Sequence, residues 1–298
     1  MNIKQRLKNR PAFYNLILRV LNSVNYFNIR FNLTYPKYKL NDTWRKRIEI
    51  VKASSDNNKI DYAQNAGVIF KDHQVMHNGL KITLGSYYDY GNTLLIEQNK
   101  GVHEPQEEYV FQEVLKSIPD GGCMLELGSY WAFYSMWFAS SVKNSKCFMI
   151  EPDPHKMNFG KLNFKLNKLK GTFDLGFIDQ KTDLTPSIPL YSVDYLFKKH
   201  NLNFIDILHS DIQGYEYKML LGAEETINAN KIRFIFISTH SNDLHYNCLK
   251  FLEEHNFEIL CSADLNETFS WDGLLVAQNK SYTSIKPFSI SKREKSHA

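Results

Sequence analysis

No uninterrupted apolar run in this 298-residue sequence is long enough to cross a membrane, and Asn15, Arg19, Asn22 and Asn25 break the most apolar N-terminal stretch. That stretch starts basic but shows no small-residue cleavage site, so a secretory leader is not expected. Cysteine is sparse. Cys123, Cys147, Cys248 and Cys261 form no C-x-x-C pair and sit inside apolar segments, which reads as buried free thiols in a reducing cytoplasm rather than disulfides. A basic excess over the middle of the chain is also missing. Lys and Arg number 36 against 32 Asp and Glu, and the basic clusters fall in the first 47 residues and the last ten. Nucleic acid, which needs a basic stripe on the folded domain, is therefore not an expected partner.

What is present suits a soluble globular chain. Hydrophobic residues at 43% and charged residues at 23% exclude a disordered or collagen-like polymer, and 14% aromatic content points to aromatic-lined pockets or surfaces. Residues 1–60 read as a basic helical extension. Residues 61–104 carry short alternating runs ("AGVIF", "HNGLKITLG", "NTLLIEQ") between Asn-Gly and Tyr-Gly turns, the pattern of a small antiparallel β unit. From 105 to 282 strands alternate with helices, which predicts an α/β, Rossmann-like, mostly parallel doubly wound sheet closed by a C-terminal antiparallel hairpin. Strands are expected at 123–127, 146–152, 172–178, 204–212 and 232–239, and one helix from Tyr215 to Asn228. Residues 283–298, ending "KREKSHA", are expected to be a flexible tail.

The turn after the first of these strands limits the ligand. In "MLELGSYWAFYS" (124–135) only Gly128 remains of a Gly-x-x-Gly pattern. A pyrophosphate needs a second glycine for close backbone approach, and Tyr130 and Trp131 put bulk there. S-adenosylmethionine has no phosphate. It needs one glycine beneath its amino-acid part, an acid ahead of that glycine, and an acid on the next strand for the ribose diol. Glu126, Gly128 and Glu151 supply these in order, and a carboxylate with two acceptor oxygens suits a vicinal diol.

At this point the sequence resembles the FkbM-type S-adenosylmethionine-dependent methyltransferases. The family's D/E-x-G-x-x-x-G-x-x-S is similar to "ELGSYWAFYS", with Ala132 at the second glycine, and its E-P-x-P to "EPDP" (151–154). Its longest motif, D-x-x-K-x-D-x-E-G-x-E-x-x-x-L-x-G-A, matches "DILHSDIQGYEYKMLLGA" (206–223), with His209 for the lysine and Gln213 for the glutamate. The resemblance covers about 104–278. It implies an O-methyltransferase whose acceptor is a hydroxyl on a small molecule, foremost a sugar of a cell-surface glycan or its precursor, in polysaccharide biosynthesis.

The cofactor set expected from these readings is Glu126, Gly128, Ser129, Tyr130, Glu151, Pro152 and Asp179, with Glu104 capping the pocket. For an alcohol acceptor a base is needed, and a histidine near neutrality is the natural one. His240 is the expected base and Asp211 the orienting acid; His209, two residues from Asp211, is an alternative base, and Glu216 completes the ring. A divalent cation on the same His/Asp/Glu set is a second route to an acidified hydroxyl. Tyr130 and Trp131 are candidates for an aromatic wall. Residues 1–28, with Phe13, Leu16, Ile17, Val20, Leu21 and Val24 at helical spacing among basic residues, would contact an anionic inner membrane face or pack on protein. The alternative function is a binding module that has lost turnover, a reading fed by Ala132, His209 and Gln213.

Overall fold

The computed structural model describes residues 11–34 and 40–293. Helix α1 (Pro11–Thr34) comes first. Helix α2 (Asp42–Ala53) starts where the Asn41 side chain accepts the Trp44 N–H. A 3-10 turn (Ser55–Lys59) leads to a hairpin of β1 (His73–Val75) and β2 (Lys81–Thr83), with Gly79 at positive φ in its loop. The run "NTLLIEQ", expected in the antiparallel unit, lies instead in helix α3 (Tyr90–Gln98). The Asp89 side chain caps the Gly91 N–H, and Asn92, Thr93, Leu95 and Ile96 are all buried, so a cap and burial on both sides override the alternation.

From α4 (Pro105–Leu115) the chain alternates as predicted: β3 (Cys123–Leu127), α5 (Phe133–Ser141), β4 (Lys146–Glu151), α6 (Pro154–Leu166) and β5 (Thr172–Leu175). The expected strand 172–178 stops short because Gly176 presses its backbone onto the Tyr191 ring. A Cβ there would lie 2.4 Å from that ring, and a separate ribbon forms from β6 (Phe177–Ile178) and β7 (Leu190–Tyr191). Then follow α7 (Val193–Lys199), β8 (Ile205–Ser210), α8 (Glu216–Leu221) and α9 (Glu224–Asn228). The single helix expected over 215–228 is two. Gly222 packs on the backbone of Asp179 and Gln180, and the Asp194 carboxylate starts α9 by accepting the Glu225 and Thr226 N–H groups. Strand β9 (Ile232–Thr239), helix α10 (Asn242–Glu254) and strands β10 (Phe257–Ala263) and β11 (Gly273–Asn279) complete the chain.

The seven-stranded sheet runs β10-β11-β9-β8-β3-β4-β5. Five strands are parallel, and β10 and β11 are the expected antiparallel hairpin, with β11 against β9. Alternation along each strand divides the core. Met124, Ile207 and Phe236 face the aromatic side with Phe133 and Phe138, while Leu125, Leu208 and Ile235 face Leu220 and Leu252. The chain leaves β3 for β4 and β5, then returns to β8 on the other side, so strand order reverses between β3 and β8.

Two parts expected to stand apart from the domain do not. In the N-terminal extension, Ile48 and Val51 of α2 share the core with Phe111 and Phe133, and buried Arg47 donates to the Phe269 carbonyl at 2.6 Å. In the tail, Ile285, Phe288 and Ile290 pack on that core, and the Ser291 N–H and hydroxyl donate to Asp56. Residues 283–293 are thus held by burial and buried hydrogen bonds; 294–298 lie outside the described residues. The four cysteines are free and buried, as expected.

Candidate active site

Ligands of open α/β sheets bind beyond the carboxyl ends of the strands where strand order reverses. Here β3 hands over to Gly128, whose φ is +75°; a Cβ at this position would sit 1.8 Å from the Asp211 carbonyl oxygen. Only glycine lets these two strand ends approach. The Gly128 and Ser129 N–H groups both donate to the Ile150 carbonyl, at 2.9 and 3.0 Å. Tyr130 and Ala132 follow in left-handed conformation, φ 41° and 59°. Ala132 stands where a glycine would be unstrained, and an L-residue held there costs roughly 1–2 kcal/mol.

The turn borders a cleft of about 500 Å³, within the range that holds a small-molecule cofactor. Glu151 is buried beside the turn. One of its carboxylate oxygens accepts the Tyr130 N–H at 3.0 Å and the other the Asp153 N–H at 2.8 Å, leaving each oxygen a lone pair for a ligand. Burial pushes its pKa up. Of the expected cofactor residues, Gly128, Tyr130, Glu151, Pro152 and Asp179 line this cleft, together with Asp211.

Beside Asp211 lies His240. Its Nδ1 is 2.8 Å from Glu216, and its Nε2 is 3.3 Å from both Asp211 and Asp272. Burial alone would lower the pKa of this imidazole; the hydrogen-bonded carboxylates of Asp211 and Glu216 and the charge of Asp272 outweigh it and lift it to about 10. The carboxylates around it thus favour the protonated form of His240, where a free base was expected. Asp272, pushed up to about 7 by burial and by Asp211, was not singled out by sequence reasoning, although it lies in "SWDGLL". Gln213 places its amide 2.7 Å from His240 Nε2, so the departure from the family's glutamate adds a neutral contact to an already acidic ring. Among the described residues no group of three or more His, Cys, Asp and Glu side chains is arranged to hold a metal ion.

Four expected site residues lie elsewhere. His209 does not share the cleft with Asp211. Strand β8 ends at Ser210, so two-residue alternation stops before Asp211, and His209 is buried with its Nε2 2.7 Å from Glu107. Glu126 faces the same buried side, accepting the Ser135 N–H at the start of α5; burial pushes it to about 7. Glu104 does not line this cleft. It lies part-buried beside His103 and Arg47, which outweigh the cost of burial and hold it down at about 2. Ser129 contributes its backbone, its side chain being buried. Trp131 is likewise core, stacked on Tyr87 at 4.2 Å and on Phe133 at 5.1 Å, so the aromatic wall reduces to Tyr130.

Sequence reasoning also missed Tyr88, Lys156 and Tyr215, all on the cleft wall. Lys156 stands over the Tyr130 ring at 4.8 Å, and Tyr88 donates its N–H to the Tyr130 hydroxyl at 3.0 Å. Only Lys156 left a signal, two residues after "EPDP" on the first turn of a predicted helix.

A pyrophosphate needs a second glycine for close backbone approach, which this turn lacks, whereas a nucleoside bearing a sulfonium needs only the Gly128 cradle and the Glu151 diol acceptor. Sheet, turn and acid together are what an S-adenosylmethionine-dependent methyltransferase of Rossmann-like fold requires. Within that class the sequence model of the methyltransferase FkbM domain matches residues 175–259, bearing out the resemblance read from the motifs. No curated protein matches the chain. Similar solved structures include the precorrin-6y C5,15-methyltransferase of Geobacter metallireducens GS-15, at 15% identity over 57% of this chain and 87% of that one, TM-score 0.40. Another is TrmK of M. capricolum in complex with S-adenosyl-homocysteine, at 14% identity over 59% of this chain and 70% of that one, TM-score 0.38.

Proposed function

We propose that the protein transfers the methyl group of S-adenosylmethionine to a hydroxyl of a small acceptor, foremost a sugar of a cell-surface glycan or its precursor. The observation that carries this reading is the pairing, across one cleft, of the buried diol acceptor Glu151 with Asp211, beside whose carboxylate His240 Nε2 lies at 3.3 Å. The cofactor supplies an electrophilic methyl on a sulfonium. Glu151 and the turn hold it, and Asp211 meets the acceptor hydroxyl. The acceptor proton passes to Asp211, or to His240 after His240 has released its own proton to solvent, and Glu216 keeps the imidazole facing Asp211 through Nδ1. Alignment for in-line displacement supplies most of the rate. A sugar is favoured because the cleft wall combines aromatic faces, Tyr88, Tyr130 and Tyr215, with carboxylates that accept hydroxyl hydrogens.

The test is calorimetric titration with S-adenosylmethionine, with NAD as control, followed by methyl transfer to a panel of free, nucleotide-linked and lipid-linked sugars read by mass spectrometry. Wild-type protein is expected to bind the first ligand only, and Glu151→Ala to lose at least tenfold in affinity. Asp211→Asn is expected to bind cofactor normally but transfer nothing. Absence of cofactor binding by the wild type would overturn the reading, and transfer to protein or RNA with none to sugars would overturn its acceptor.

A further inference from the structure

We propose that helix α1 docks this protein on an anionic lipid surface, lying in the plane of that surface. The two faces of α1 differ. On one, Ile29 is buried, the Asn25 side-chain amide donates to the carbonyls of Gly85 at 2.7 Å and Tyr88 at 3.3 Å, and the Tyr26 hydroxyl donates to the Lys71 carbonyl. On the other, Leu16, Val20, Val24 and Phe27 are 55%, 54%, 57% and 67% exposed. At 3.6 residues per turn these four fall within an arc of roughly 80°, turned away from the anchored residues. Water is a poor neighbour for such a stripe, which marks an interaction surface.

Charge selects the occupant. Residues 1–41 hold eight Lys or Arg, four of them before Pro11, and no Asp or Glu; the first acid is Asp42. A second copy would bring the same charges to the seam with no acid to meet them. An anionic headgroup layer offers the opposite charge while the apolar stripe enters the acyl boundary. No helix among the described residues is long and apolar enough to span, which leaves the in-plane orientation.

The docked helix also touches the cleft. Asn25 holds the Tyr88 carbonyl, the Tyr88 N–H is donated to Tyr130, and both tyrosines line the cleft wall. Delivery of a lipid-carried acceptor to that wall rests on the methyl-transfer reading; the docking itself does not.

The experiment is co-sedimentation of the full-length protein with vesicles of phosphatidylcholine alone and of phosphatidylcholine mixed with phosphatidylglycerol, at low and high salt. Wild type is expected to pellet with the anionic vesicles only, and less at high salt, each basic residue contributing roughly fivefold in partitioning. Val20→Asp with Val24→Asp, and separately Lys4→Ser with Arg6→Ser, Lys8→Ser and Arg10→Ser, are expected to stay in the supernatant with unchanged thermal unfolding and unchanged S-adenosylmethionine binding. Failure of the wild type to pellet, or equal pelleting on phosphatidylcholine alone, would overturn the proposal. A concentration-dependent dimer that the aspartates dissociate would overturn it too, by assigning the stripe to a second copy.

Discussion

Glu126 and Glu151 sit in neighbouring strands, both buried and both raised above the usual carboxylate range, yet only Glu151 borders the cleft. Glu126 pairs with Met149, and Glu151 lies two residues further along that same face, at the carboxyl end of the strand where the cleft opens. Glu126, at about 7, contributes stability that is complete below its unfolded value near 4.5 and lost as pH rises through about 7. Glu126→Gln keeps an acceptor for the Ser135 N–H without that loss. It should therefore be roughly 2–3 kcal/mol more stable than wild type at pH 8 and equal to it at pH 4, as measured by urea unfolding. Equal stability at both pH values would show that the carboxyl is not held protonated. His240 has the opposite charge problem, since carboxylates hold its proton on. Replacing the closest of them, Glu216→Gln, should move the His240-dependent limb of the pH–rate profile down by roughly one to two pH units, whereas loss of activity at every pH would point to a purely structural Glu216.

At the scale of elements, the turn into α5 explains the missing glycine. Relief of the left-handed strain at Ala132, roughly 1–2 kcal/mol, is opposed by loss of a buried methyl, about 0.8 kcal/mol, and by the added freedom of an unfolded glycine, about 0.4–1 kcal/mol. The terms nearly cancel, so Ala132→Gly should change unfolding free energy by less than about 1 kcal/mol. Methyl transfer should be unchanged, which activity and melting curves together would check. Gly128 is a different case. A methyl there meets a backbone carbonyl that has nowhere to go, and Gly128→Ala should cost about 3 kcal/mol or more and abolish cofactor binding. Of these two turn positions the motif made only Gly128 legible as obligatory; that Ala132 is sustainable depends on the burial around it.

For the whole molecule, residues 42–53 and 283–293 belong to the fold. Truncation after Tyr282 removes Ile285, Phe288 and Ile290 from the core and leaves Asp56 without its Ser291 partners. It should cost about 3 kcal/mol or more in unfolding free energy, while truncation after Arg293 should cost little. A tail that could be cut at Tyr282 without effect would mean its packing contributes nothing in solution.

Local pattern alone determined the order of strands and helices over 105–282, the cofactor turn at Gly128 and the acid at Glu151, because each depends on residues within a few positions of one another. The breaks at Gly176 and Gly222 were not legible, since each arises where a distant segment presses on a glycine. The helix at "NTLLIEQ" escaped because burial on both sides hides its period. Only the tertiary structure decided which histidine stands beside Asp211. His209 is held away from it by Glu107, 102 residues off, while His240 is held next to it by Glu216 and Asp272. Such pairings are set by the packing of separate elements on one sheet, and sequence spacing carries no record of that distance.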